Sequence, residues 1–253
     1  MLNISKRAAI QAGKLLMKLR GEKLNARIKG DSSSIVTKAD LESEKLIFEI
    51  LKSSFPKHNF VSEEKGRENN NSEYTWVIDP LDGTGPYFSG MPNFGVSVGL
   101  LKGKVPIVGV INLPALRILA WAEAGKGAYL NGERTRVSRQ KEIGKAMVGF
   151  DLAWQRQRGE EIDKLLRPLA PKVRYTPILG CTVNGLVNLA CGIYDAYVHW
   201  AYQWDYVAGA VIVNEAGGKL TDYQGKEIDW SEETMSVLAS NGLLHRKIVN
   251  LIR

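Results

Sequence analysis

Two aspartates, Asp79 and Asp82, stand three residues apart in the stretch T-W-V-I-D-P-L-D-G-T over residues 75–84. Thr75 to Ile78 are strand formers, whereas Pro80 and Gly83 do not readily continue a strand, so the two carboxylates are expected to meet where a strand ends in a tight turn. Hard cations such as Mg²⁺ take oxygen ligands in octahedral geometry, and two carboxylates so spaced can face one or two such ions. The Leu81 carbonyl adds an oxygen, Gly83 lets a phosphate approach the backbone, and Thr84 supplies a hydroxyl where a helix can begin. The combination points to metal-assisted phosphate chemistry; the plainer reading is that Asp, Pro and Gly simply make a turn.

The elements that must position these groups are read from periodicity. Residues 2–20 carry apolar positions at Ile4, Ala8, Ala12, Leu15, Leu16 and Leu19, a helical face. Lys29 to Ser34 reads as a loop, and a second helix from about Ala39 puts Leu41, Leu46, Ile47, Ile50 and Leu51 on its buried side. Period-two alternation predicts a strand over 93–101 and two more over 105–112 and 117–122, so this half reads as helices beside a largely antiparallel sheet. Beyond it the pattern predicts strand 146–150, helix 159–169, strand 173–178, helix 182–191, strand 194–199 and helix 205–216, an α/β half. The expected division is 1–140, an α+β half carrying most of the metal ligands, and 141–253, an α/β half carrying Asp205 and the substrate contacts.

At 253 residues the chain is long enough to bury a substantial core, and its composition is that of a globular protein. The most apolar window, Val105 to Ala124, is broken by Pro106, Asn112, Pro114 and Arg117 and reads as strands, not a membrane span; the N-terminus lacks an uninterrupted signal core. Cys181 and Cys191 on one helix would lie about 15 Å apart by the helical rise, too far for a disulfide, which fits a cytoplasmic, reducing location. The net charge of +7 and the run Arg134, Arg136, Arg139, Lys141 and Lys145 read as a solvated face, because no aromatic residues interleave there to stack bases.

The segment around Asp79 resembles the D-P-[IL]-D-G-T signature of the inositol monophosphatase family, the Mg²⁺-dependent, lithium-sensitive sugar phosphatases. Three further segments fall in that family's order: V-T-K-A-D ending at Asp40, V-S-E-E with Glu63 and Glu64, and W-D-Y-V-A-G-A over 204–210, followed by E-A-G-G at 215–218. The resemblance implies a layered α-β-α-β-α sandwich with the site in the cleft between halves, a homodimer, and two to three Mg²⁺ ions. It implies that Glu63, Asp79 and the Leu81 carbonyl hold one ion and Asp79, Asp82 and Asp205 a second, with a weaker third at Glu63 and Lys29 near it. Glu63 and Thr84 match the pair that orients and deprotonates the attacking water, with Asp40 holding the Thr84 hydroxyl. Read without the resemblance, Asp40 and Asp205 would be helix N-caps and Lys29 a surface lysine.

Substrate contacts fall by resemblance on Asp82, Gly83, Thr84, Gly180, Cys181, Thr182, His199 and Asp205. The chain departs from the pattern at four places. Gly85, Pro86 and Tyr87 follow D-G-T where many relatives have T-N-F; Cys181, Thr182 and Val183 follow Gly180 in place of [ST]-A-A; His199 stands where inositol-specific members often place a glutamate; and the segment between Asp195 and Asp205 is one residue shorter than in typical inositol-specific relatives. These departures bear on specificity, so a phosphorylated polyol such as inositol monophosphate leads, with fructose 1,6-bisphosphate and histidinol phosphate as alternative substrates. The alternative of another class is an RNA- or protein-binding regulator that retains the fold.

Overall fold

The computed structural model describes residues 1–20, 27–28, 35–36, 38–152 and 155–253. Lys29 and the loop expected over Lys29 to Ser34 lie outside them. In chain order the elements are α1 (Leu2–Leu19), β1 (Arg27–Ile28), β2 (Ile35–Val36), α2 (Lys38–Ser54), β3 (Asn59–Ser62), β4 (Gly66–Glu68), β5 (Tyr74–Asp82), α3 (Thr84–Phe88), β6 (Gly95–Lys102), β7 (Val105–Leu113), β8 (Ile118–Glu123), β9 (Ala128–Leu130), β10 (Glu133–Arg134) and β11 (Val148–Phe150). There follow α4 (Gln155–Glu161), α5 (Arg167–Leu169), α6 (Thr182–Ala190), β12 (Ala196–Tyr202), α7 (Gln203–Glu215), β13 (Lys219–Thr221), β14 (Thr234–Ser240) and α8 (His245–Ile252).

Side-chain alternation sorts these elements into five layers. Ala8, Ala12 and Leu16 of α1 and Ile47 and Leu51 of α2 pack on Trp76, Ile78, Val98 and Leu100, one face of an eight-stranded sheet ordered β10-β9-β8-β7-β6-β5-β3-β4. Its opposite face, through Ile111, Leu113 and Ala120, meets α6 and α7, whose other side meets Tyr197, Ala201, Val237 and Ala239 of a four-stranded sheet ordered β11-β12-β14-β13. The far face of that second sheet, Val148, Ala196, Val198 and Leu238, is covered by Leu165, Leu169, Leu244 and Ile248. Successive residues of one strand thus serve two different cores, as a period of two requires. The result is the α-β-α-β-α sandwich.

Because α7 lies between two sheets, Gln203 through Val213 are all buried, and between its polar first turn and the closing Asn214 and Glu215 the helix is apolar around its circumference. Its approach to the large sheet depends on Gly109: a Cβ there would sit 2.1 Å from the Ala208 carbonyl oxygen. Among the described residues no helix is long and apolar enough to cross a membrane.

Four expectations are corrected. β5 does not end at Pro80: it continues to Asp82, paired with β6 through a register shift between Asp79 and Asp82, a bulge at which the missing proline N–H costs no ladder bond. Leu41 is half exposed on the outer side of α2. Residues 173–178 form no strand, only an isolated bridge from Tyr175 to Met147, so the second sheet has a single parallel pair, β11 with β12, and is otherwise antiparallel. The helix expected over 159–169 begins at Gln155 and widens to a π-helix over Ile162–Leu166, immediately before Arg167 and Pro168. A proline there lacks an N–H and crowds the preceding turn, and a wider turn relieves both.

Candidate active site

The bulge in β5 turns Asp79 and Asp82 toward the first turn of α7, where Asp205 is the third residue. Asp79, Asp82 and Asp205 each place a carboxylate oxygen within 4.8 Å of those of the others. All three are at most 9% exposed. Individual hydrogen bonds fix them: the Leu81 amide donates to Asp79 Oδ1 (2.9 Å), the Val183 amide to Asp82 Oδ2 (2.6 Å) and the Tyr202 amide to Asp205 Oδ2 (2.8 Å). Asp205 therefore caps its helix from inside the first turn and belongs to the cluster at the same time.

Three buried carboxylates at this separation cannot all ionise cheaply. Burial first, then the charges of Glu63, Asp82 and Asp205, push the Asp79 carboxyl well above its usual range. Asp205 is pushed up by burial and then by Asp82 and Glu63. Burial raises Asp82 to about 7, with the Val183 amide and the Cys181 thiol pulling the other way. An all-oxygen, hard donor set that repels itself fits a hard divalent cation in both ligand type and charge.

Glu63 lies outside this tight group, half-buried in the turn between β3 and β4, yet near enough for its charge to act on Asp79 and Asp205. Thr84 opens α3 just after Gly83, which has φ +81° and no room for a side chain: a Cβ would meet the Asn93 carbonyl oxygen at 2.5 Å. The Thr84 hydroxyl lies 3.3 Å from Asp40 Oδ1 and 3.1 Å from the Leu81 carbonyl, which links the three sequence-derived positions Asp40, Leu81 and Thr84. Asp40 is buried in the first turn of α2. Pro86 falls within the first turn of α3, where it is tolerated, and the Tyr87 hydroxyl donates to the Leu16 carbonyl (2.9 Å) and ties α3 to α1.

Opposite Asp82 stands the start of α6. Gly180 has φ +68°, Cys181 is the N-cap, and Thr182 is the first helical residue. The Cys181 thiol points at Asp82 Oδ2 (3.4 Å). Burial and the Asp82 charge raise that thiol well above its usual range, which keeps it protonated. His199 is a buried residue within β12, and its Nδ1 is 2.9 Å from the Asp151 carbonyl oxygen. Cys181 and Cys191 are both free, at opposite ends of α6.

Three organising residues escaped the sequence reading. Glu44, 1% exposed, accepts the Ser62 hydroxyl (2.5 Å) and the amides of Glu64 (3.2 Å) and Lys65 (3.0 Å), and so holds the turn that carries Glu63. Ser43 donates to the Pro80 carbonyl (2.7 Å), so Asp40, Ser43 and Glu44 serve the site from one face of α2. That i, i+3, i+4 polar set on a helix with an otherwise apolar buried face was the available signal. Asp151 accepts backbone amides from the α6 entrance, and no local pattern announces it.

The family profile described as "Inositol monophosphatase family" matches residues 1–253. Inositol monophosphatase 1 of Solanum lycopersicum is 36% identical over 260 residues, covering 100% of this chain and 94% of that protein. The fructose-1,6-bisphosphatase/inositol-1-monophosphatase of Aquifex aeolicus (strain VF5) is 36% identical over 256 residues, covering 100% and 95%. Among solved structures, the extragenic suppressor protein suhB of Bartonella henselae superposes with a TM-score of 0.92 at 30% identity, covering 99% of this chain and 97% of that one. The fold, the acidic cluster and these full-length similarities agree: the chain belongs to the inositol monophosphatase family and is a phosphoric monoester hydrolase.

Proposed function

We propose that the protein hydrolyses the phosphate monoester of a small polyol or sugar, inositol monophosphate being the leading substrate, with two to three Mg²⁺ ions as cofactor. The observation that carries this reading is the convergence of Asp79, Asp82 and Asp205, three buried carboxylates from two distant segments whose mutual repulsion a bound cation would relieve. Asp79, Asp82 and Asp205, with Glu63 and the Leu81 carbonyl, would hold the cations. Bound there, the ions would polarise the ester phosphate, acidify water and stabilise the leaving oxygen.

The chain's own groups have separate tasks in this reading. Thr84, held by Asp40, accepts and orients a water through its hydroxyl, and Glu63 takes that water's proton on its carboxylate. Gly83 leaves the backbone open beside the phosphate. Gly180, Cys181, Thr182 and His199, with Asp205, meet the polyol. Residues 1–140 and 141–253 act as two halves, one carrying most of the cation ligands and the other Asp205 and the substrate wall. A cytoplasmic homodimer belongs to the same reading, with the two free cysteines as support for the compartment.

A second substrate reading has its own support: the Aquifex aeolicus relative is named fructose-1,6-bisphosphatase/inositol-1-monophosphatase, and the family resemblance puts His199 where inositol-specific members often place a glutamate. Phosphate release from inositol monophosphate, fructose 1,6-bisphosphate, histidinol phosphate and 4-nitrophenyl phosphate, with Mg²⁺ and with chelator, tests both. The leading reading expects the highest kcat/KM for inositol monophosphate and no turnover in chelator. Turnover undiminished by chelator would overturn it.

A further inference from the structure

We propose that Asp151 is a positioning residue for the substrate: its carboxylate fixes the Leu179–Cys181 turn, and with it the start of α6, as the wall that receives the polyol part of the ester. The proposal rests on the reading of the protein as a polyol phosphate phosphatase. Asp151 is 3% exposed, and its hydrogen-bond partners among the described residues are neutral donors. Oδ1 accepts the amides of Leu179 (2.9 Å) and Gly180 (2.7 Å); Oδ2 accepts the amide of Cys181 (3.2 Å) and the hydroxyl of Tyr197 (2.7 Å). Four donors on two oxygens nearly saturate a carboxylate, which is what allows a charge to be buried there.

Three consecutive amides can converge on one carboxylate only if the backbone between them curls back, and Gly180 does so with φ +68°. The curl sends the Cys181 thiol toward Asp82 and presents the Val183 amide to the same carboxylate. Asp151 and Asp82 therefore divide the amides at the α6 entrance: residues 179–181 go to the first and Val183 to the second.

The main chain of Asp151 acts on the remaining contact. Its carbonyl can only accept, so the bond to His199 Nδ1 puts the imidazole proton on Nδ1. Burial lowers the His199 pKa, so the ring is neutral and Nε2 is a hydrogen-bond acceptor. Among the described residues Nε2 has no partner. Gly180, Cys181 and His199 thus take their placement from one residue that is not part of the acidic cluster, and Thr182 follows Cys181 into the helix.

Steady-state kinetics with Mg²⁺ on wild type, Asp151→Asn and Tyr197→Phe, using inositol monophosphate and 4-nitrophenyl phosphate, test this. Asparagine would turn an N–H₂ toward amides that also donate. For Asp151→Asn we expect KM for inositol monophosphate to rise about tenfold with kcat within about threefold, while KM for the aryl ester, which has no hydroxyls to place, moves by less than about threefold. Mg²⁺ affinity by calorimetry should stay within about threefold. Tyr197→Phe, which keeps the carboxylate and its three amides, should shift the ratio of the two KM values in the same direction by a smaller factor, and it carries the test if Asp151→Asn does not fold. Equal changes for both esters, or an unmoved ratio in the folded variants, would overturn the proposal. Wild-type protein that turns over neither ester would instead overturn the functional reading on which it rests.

Discussion

Removing one carboxylate from the acidic cluster should stabilise the metal-free protein and abolish its stabilisation by metal. At an effective dielectric near 20, two unit charges about 5 Å apart repel by roughly 3 kcal/mol, and the oxygens of Asp79, Asp82 and Asp205 lie within 4.8 Å of one another. Asp79→Asn removes two of the three repelling pairs. Partial protonation already relieves some of the strain, since Asp82 titrates at about 7 and Asp79 and Asp205 are pushed higher than usual, which leaves a gain of about 2–4 kcal/mol at pH 8. For a chain of this size that corresponds to a rise in Tm of roughly 5–10 °C in chelator. The pH dependence has a definite sign. A carboxyl whose folded pKa is raised binds its proton more tightly in the folded state, so its contribution is fully present below the unfolded value near 4 and is lost as pH rises through the folded value. Wild-type stability in chelator should therefore fall between about pH 4 and pH 7, and Asp79→Asn should flatten that fall. Differential scanning calorimetry at pH 5 and pH 8, with Mg²⁺ and with chelator, reads all four conditions. Wild-type Tm should rise with Mg²⁺ most strongly at pH 8, and the variant should barely respond. An Asp79→Asn protein less stable than wild type in chelator at pH 8 would refute the reasoning.

Other outcomes follow from the same geometry. Thr84→Ala and Asp40→Asn should each lower kcat by about two orders of magnitude while leaving Mg²⁺ affinity by calorimetry nearly unchanged, and the double variant should lose far less than the product of the two, because the groups act as one unit. Burial holds His245 at about 4; Thr221 donates its own proton to the Asp222 carbonyl and accepts from Nε2, so Nδ1 accepts from Ser240. Its folded pKa lies below the unfolded one, so stability should drop by about 2–3 kcal/mol as pH falls from 6.5 toward 4, and His245→Gln should remove that slope in urea melts. Gly109→Ala should destabilise the protein by about 3 kcal/mol or more in the same melts, because the added methyl meets the α7 backbone, which cannot move without opening the sheet.

What the sequence makes legible is chiefly what is local. The D-P-L-D-G-T stretch combines carboxylate spacing with turn residues, and its chemistry can be read without a fold. Helix α1 and strands β6 to β8 follow from apolar periodicity, which the sandwich then uses on both faces. Asp205 is different: taken alone it is a helix-start aspartate, and only the resemblance brings it to Asp79, because more than a hundred residues of chain must fold before the two meet. The run 173–178 has strand composition, but Pro177 removes a donor, and the segment's backbone bonds, from Arg174 and Tyr175 to the Ala146 carbonyl and from Val148 and Phe150 to its own carbonyls, amount to a single bridge and no strand. Glu44 leaves a faint trace, as one of three polar residues on the buried face of α2, and Asp151 leaves none, since its partners are mostly backbone amides, which every residue but proline carries.

On the proposed reading, Asp79, Asp82 and Asp205 form a cation site that serves phosphate ester hydrolysis. Crystals of the active protein soaked in Mn²⁺ and measured for anomalous scattering test it most directly. At least two peaks are expected at the acidic cluster, one shared between Asp79 and Glu63 with the Leu81 carbonyl and one among Asp79, Asp82 and Asp205, both lost in Asp79→Asn. Protein that hydrolyses phosphate esters with Mn²⁺ yet shows no peak at these carboxylates would contradict it.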